Sequence, residues 1–249
     1  MSISIKTARE IEKMRRAGEL LEKVHDELGR AIHPGMSTWE INKLGEEMIR
    51  SFGCTPNFLN YNGYPASICV SVNEEVVHGI PSKKRILKEG DIVSLDAGVI
   101  YKGYHSDAAR THAVGAISPE AQKLIDVTRQ SFFEGIKFAK AGNHLNDISS
   151  AIQAYAESFG YGVVRDLVGH GIGSHLHEEP EVPNFAQKRK GIKLVPGMTL
   201  AVEPMINIGT PNVAWMDDDW TVVTKDHSLS AHYENTILIT EGEPEILSL

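Results

Sequence analysis

Gly90-Asp-Ile-Val-Ser-Leu-Asp96 returns 107 residues later as Gly197-Met-Thr-Leu-Ala-Val-Glu203. In both copies a glycine is followed, six positions on, by a carboxylate that closes a largely apolar run. The same offset relates Gly35 to Gly142, Ile41 to Ile148, and Ser51-Phe-Gly53 to Ser158-Phe-Gly160. His78-Gly-Ile-Pro81 finds its counterpart at a shorter offset in His177-Glu-Glu-Pro180. Self-similarity at a fixed offset marks repeated supersecondary units. The shared register predicts two similar helix-then-strand halves, about 1–115 and 116–249, with acids and histidines placed equivalently about a pseudo-twofold axis.

The local pattern fills in these halves. Thr7-Ala-Arg-Glu10 is a capping-box pattern, and Ile11, Met14, Leu21, Val24 and Leu28 follow at helical spacing, so a first helix should run to about Ala31. Pro34-Gly35 ends it, and Ser37-Thr-Trp-Glu40 opens a second helix that stops at Gly53. Ile92–Ile100 and His105–His112 read as two strands joined through the glycine-containing turn Tyr101-Lys-Gly-Tyr104. Ser118-Pro119-Glu120 opens a third helix, with proline at the first helical position. A fourth should run from about Asn146 to Phe159.

Composition narrows the function classes. The chain has 249 residues, 41% hydrophobic and 23% charged, which is ordinary for a folded globular protein. Its 33 acids against 25 bases argue against a nucleic-acid partner held by a basic surface. Two cysteines, Cys54 and Cys69, allow neither a disulfide framework nor a four-cysteine zinc module. Met1-Ser-Ile-Ser-Ile-Lys6 lacks the apolar core of a signal peptide, and no stretch approaches a membrane span. The expectation is a soluble cytoplasmic protein with no membrane contact.

Asp96 and Asp107 lie nearly symmetric about the 101/102 boundary and should be close cross-strand neighbours. Alternation puts Val93, Leu95, Ala97 and Val99 on one face and Asp96 on the other. Like charges opposite one another repel, by on the order of 4 kcal/mol at about 4 Å and an effective dielectric of about 20. Solvated aspartates would be the ordinary explanation if the pair stood alone. However, Glu203 sits in the apolar Thr199–Pro204 stretch, and Glu234 in Ala231–Ile239, read as one strand. Unpartnered carboxylates there are costly, and a salt bridge is the plain reading of each. Gly169-His-Gly-Ile-Gly173 sets His170 between glycines that let the backbone approach a neighbour closely. A phosphate loop is the rival, but no lysine completes a nucleotide fingerprint. His78 and His177, taken singly, read as structural histidines. Four carboxylates with one imidazole would be balanced by two divalent cations, Mn, Fe, Co or Zn, the kind of pair that serves hydrolases.

At Ser71–Pro81, Gly169–Gly173, Leu176–Pro180, Ala201–Met205 and Tyr233–Thr236 the chain resembles the type I methionine aminopeptidases, over essentially its full length, in the short bacterial form. The resemblance implies an α/β (α+β) pita-bread fold, a single catalytic domain over 1–249 whose two halves surround a central antiparallel sheet. It implies Asp96, Asp107, His170, Glu203 and Glu234 as ligands of a metal pair, with Asp107 and Glu234 bridging. Glu203 would shuttle the proton of the attacking water, His177 would stabilise the oxyanion, and His78 would contact the substrate amide. Tyr61, Tyr64, Cys69, Trp220 and His78 would line the methionine pocket, with Phe58, Leu176 and His177 beside the substrate. The implied reaction is removal of the initiator methionine from nascent chains whose second residue is small, by a monomer, with ribosome association and the choice of metal left open.

The chain departs from the family pattern at Leu176, where phenylalanine is better known, at Phe58, where some members have cysteine, and at Asn235, where histidine is frequent. These bear on pocket shape and tuning. One rival is a prolidase or proline aminopeptidase, which usually carries a large amino-terminal domain that 249 residues leave no room for. The other is a metal-free binding module on the same fold, which would require degraded ligands.

Overall fold

The protein is described by a computed structural model over residues 3–249, so Met1 and Ser2 of the amino-terminal stretch lie outside the described residues. Four helices form: α1 (Ala8–Ala31), α2 (Thr38–Ser51), α3 (Pro119–Ile136) and α4 (Leu145–Glu157). The capping boxes at Thr7/Glu10 and Ser37/Glu40 are both present, and Ser118 caps α3 ahead of its proline. The fourth helix starts one residue before the expected position because His144 and Asp147 make a capping box of their own, 107 positions after Ser37 and Glu40.

The 107-residue offset extends to the hydrogen bonds. Gly35 N–H donates to Leu87 O and Gly142 N–H to Leu194 O. Thr38 N–H donates to Arg85 O and Leu145 N–H to Ile192 O, while Leu87 N–H reaches Met36 O as Leu194 N–H reaches Asn143 O. Gly35 and Gly142 both hold left-handed backbone, at φ of 90° and 94°, where a side chain would be strained. Each half therefore enters its second helix through the same turn.

A nine-stranded antiparallel sheet joins the halves. Its main path runs Thr55–Pro56, Ile92–Tyr101, Tyr104–Ala113, Glu234–Leu238, Thr199–Val202, Gly169–Gly171 and Glu178–Val182. Val93, Leu95, Ala97 and Val99 of the first hairpin strand are fully buried against α1 and α2. Leu200 and Val202, their counterparts across the offset, pack with Phe132, Ile136, Ile148 and Ile152 of α3 and α4. Burying a residue of this size contributes about 1.5–3 kcal/mol, so these two apolar faces fix the register of the strands that carry the acids.

Two details differ from the expectation. The hairpin turns at Lys102 and Gly103, with φ of 48° and 81°, one residue later than symmetry of the aspartates required. Asp96 therefore pairs with Ala109, and Asp107 with Gly98. The carboxylates are diagonal neighbours on one face, which relieves the direct opposition. The stretch 231–239 is also not one strand: Ser230–His232 belongs to a three-stranded sheet and Glu234–Leu238 to the main one. The chain between Thr199–Val202 and Met205–Asn207 changes sheets likewise, at Glu203-Pro204, where proline has no N–H to continue a ladder. Tyr233 N–H donates to Pro204 O and ties the two corners together. Among the described residues no helix is long and apolar enough to cross a membrane.

Candidate metal centre

At those corners the acids converge. Asp107, His170 and Glu234 each offer a ligand atom within 4.8 Å of the other two, and Glu203, His232 and Glu234 form a second such group. Glu234 belongs to both groups. Asp96 opens onto the same cavity from the neighbouring strand. His170 Nδ1 lies 2.8 Å from Gly171 O and donates to it, so Nε2 carries the lone pair. That nitrogen faces Asp107 Oδ2 at 3.9 Å and Glu203 Oε1 at 3.8 Å. Close approach of the backbone explains the flanking glycines: a Cβ at Gly169 would meet Ala201 O at 2.3 Å, and one at Gly171 would meet Glu179 O at 2.3 Å.

Electrostatics sets the chemistry of this cluster. Burial pushes the Asp96 carboxyl up to about 8. Burial raises Asp107 well above its usual range, and Asp96 and Glu203 add to it. Glu203 rises through burial and then Asp96, and Glu234 through burial and then Asp107, Glu203 and Asp96. Burial holds His170 down at about 3, so its ring is neutral. Asp96 Oδ1, Asp107 Oδ1 and Glu234 Oε1 are buried with no hydrogen-bond partner. Buried polar atoms are satisfied in folded proteins. Oxygen-rich ligation with neutral imidazole, its second nitrogen fixed by a carbonyl, is the donor set of a divalent metal site. The residues fit such ions.

The cavity is about 180 Å³ and brings together every site residue expected from the sequence. Phe58, Tyr61, Tyr64, Cys69, His78, Leu176, His177 and Trp220 line it beside Asp96, Asp107, His170, Glu203 and Glu234. Tyr64 donates to Gly79 O at 3.0 Å and meets the Trp220 ring edge-on at 5.1 Å. His78 sits at φ 59°, unusual for a residue with a side chain, with burial pushing it down to about 4. The His177 ring packs edge-on to His170 at 4.3 Å, and its Nδ1 is 2.9 Å from the Tyr61 hydroxyl.

Sequence reasoning missed three members. Asn62 and Val168 also line the cavity. His232, 1% exposed, has both ring nitrogens unpartnered and Nε2 at 3.7 Å from Glu203 Oε2. Its signal was the spacing His232-Tyr-Glu234, since alternate residues of an extended chain share a face. Asn235, by the same rule, points the other way: it is fully buried behind the sheet, where Oδ1 accepts from Arg110 Nη2 at 2.7 Å.

Residues 12–241 match the metallopeptidase family M24. The chain is 56% identical to a methionine aminopeptidase of Clostridium acetobutylicum, over 99% of both chains. The crystal structure of methionine aminopeptidase from Thermotoga maritima superposes with a TM-score of 0.97 at 46% identity, covering 99% of each, and the fold is thus the pita-bread one. A Xaa-Pro dipeptidase from Bacillus anthracis reaches a TM-score of 0.78 at 28% identity, and 98% of this chain spans only 61% of it. The chain belongs to metallopeptidase family M24 and, within it, to the methionine aminopeptidases.

Proposed function

We propose that the enzyme removes the initiator methionine from proteins whose second residue is small, using two divalent cations. The observation that carries this reading is the convergence of four carboxylates, three of them (Asp96, Asp107 and Glu234) with buried unpartnered oxygens, on a cavity walled by Tyr64, Cys69, Leu176 and Trp220. Asp96, Asp107, His170, Glu203 and Glu234 would hold the ions, Asp107 and Glu234 serving both, with His232 a further imidazole at the Glu203 side. Bound there, Mn, Fe, Co or Zn would supply Lewis acidity toward the scissile carbonyl and the attacking water.

The chain's own groups do the rest. Glu203 takes a proton from the attacking water and returns it to the leaving amide nitrogen. The Tyr61 hydroxyl lies 2.9 Å from His177 Nδ1; in this role it would donate to that nitrogen, leaving Nε2–H available. Burial keeps that ring neutral by pushing its pKa down, so it donates to the carbonyl oxygen as charge develops. His78 contacts the substrate amide. The methionine thioether occupies the aromatic and sulfur-lined cavity, surroundings that suit a polarizable chain. Every residue of the site comes from one chain, so a monomer suffices, and two buried free thiols suit a reducing cytoplasm.

The decisive experiment is hydrolysis of a Met-Ala-Ser peptide by metal-free enzyme titrated separately with Mn, Fe, Co and Zn. Turnover restored by at least one cation is expected. Inactivity with all four, or faster cleavage of an X-Pro peptide, would overturn the reading.

A further inference from the structure

The turn that carries His177 is held from a distance. It leaves the His170 strand Gly169–Gly171, passes Gly173 to Leu176, and enters Glu178–Val182. Gly173 O accepts from His105 N–H of the hairpin at 2.8 Å. Beyond it the turn is fastened within itself, by Gly173 N–H to His175 O at 3.1 Å, His175 N–H to Glu178 Oε1 at 3.1 Å and the Ser174 hydroxyl near His175 and Glu178. The other oxygen of Glu178 is 2.5 Å from the ammonium of Lys6, 172 positions earlier in the chain. The Lys6 side chain is only 3% exposed and that of Glu178 12%. The lysine stem lies flush over Gly173, where a Cβ would meet Lys6 Cε at 2.3 Å. Lys6 N–H also donates to Gly197 O at 2.8 Å, just before the strand that leads into Glu203.

Burying a lysine and a glutamate together is costly, and replacing such a pair with apolar residues is often neutral or stabilising. Stability alone is therefore weak grounds for the pair. We propose that Lys6 is a positioning residue: its ion pair with Glu178 holds the 173–178 turn so that the imidazole of His177 stays against the metal centre. The inference rests on the role given to His177 above. The two holds act on different parts of the residue. Tyr61 orients the ring, and Lys6 fixes the backbone from which the ring projects.

The test is Lys6→Met in the full-length enzyme. The turnover number should fall about 10- to 100-fold, the scale of a displacement near 1 Å, with the Michaelis constant and metal content nearly unchanged. Combined with His177→Ala, Lys6→Met should add no more than about a two-fold further loss, since residues acting through one another are not additive. Undiminished turnover in Lys6→Met, or losses that multiply in the double variant, would overturn the proposal. Glu178→Gln, which keeps the shape of the side chain, serves if Lys6→Met does not fold, and the same non-additivity is expected of it. Imidazole resonances give a reading independent of activity: those of His177 should shift in either variant while those of His78 do not, and an unmoved His177 refutes the inference. A wild-type enzyme inactive with every cation would instead fail the proposed function, with the resonances still deciding the role of Lys6.

Discussion

The hydroxyl of Thr236 grips the backbone of Asp107 at both ends: it accepts from Asp107 N–H at 2.9 Å and donates to Asp107 O at 3.0 Å. The ladder between these two strands is short, pairing only Glu234 with Ala109 and Asn235 with Ala108. A side chain thus continues the pairing where the backbone ladder stops, beside Asp107 and Glu234, two carboxylates of the candidate metal centre.

Thr236→Val keeps the shape and removes both bonds. Asp107 N–H would be left unpaired, at a cost of about 1–3 kcal/mol, while Asp107 O would keep only the long bond from the Ser248 hydroxyl at 3.5 Å, and metal affinity should weaken with it. Urea unfolding and calorimetric metal titration check this. An unchanged unfolding midpoint and affinity would show that the grip is incidental.

Asp107→Ala should abolish turnover and sharply lower metal content, because in the proposed site this one carboxylate would serve both ions. Elemental analysis alongside peptide hydrolysis decides it. Full metal loading with near-normal activity would refute the paired site, whereas the exposed Glu241 should tolerate the same change.

His177→Ala should lower the turnover number roughly 100- to 1,000-fold, the effect of losing one oxyanion donor, with metals still bound. A raised Michaelis constant at constant turnover would assign His177 to ground-state binding instead.

Acid sensitivity should trace in part to His112. Burial, and then Arg110, holds its pKa down at about 4, against an ordinary value of 6.5. Between those values the unfolded chain binds a proton that the fold does not, so stability falls as pH is lowered from 6.5 toward 4. Relative to His112→Leu, the wild type should lose on the order of 2–3 kcal/mol across that window. Urea midpoints of the two proteins that stay in constant proportion from pH 7 to 4 would contradict this.

Methionine and norleucine should both be accepted at the first position and leucine rejected, since leucine branches earlier than an unbranched thioether of similar length. Glycine, alanine or serine should be best at the second, because a bulky residue displaces the scissile carbonyl and about 1 Å can cost about 100-fold. Specificity constants across a peptide series measure both. Equal values for Met-Ala and Met-Lys would count against the pocket.

Much of this was legible in the sequence because the signals were periodic. The capping boxes at Thr7 and Ser37 located helices, and the 107-residue offset anticipated the paired turns at Gly35 and Gly142. What escaped was non-periodic. The sheet switch at Tyr233 depends on where Pro204 falls at the facing corner between two strands, a relation with no local trace. The hairpin register turned on one residue, Gly103, rather than on the aspartates. His232 was visible by alternation with Glu234, but alternation alone does not separate a ligand from a core histidine.

The two-residue turn at Lys102 and Gly103 has a consequence for tolerance to insertion. Both residues are exposed, and exposed loop tips ordinarily accept extra length. Here one added residue that slipped the pairing would carry Asp107 to the opposite face of the sheet, since side chains alternate with every step. The helical cores would survive while the metal site was lost. Across natural variants the length of this turn should be held more strictly than its composition, making an exposed tip one of the least extensible places in the chain.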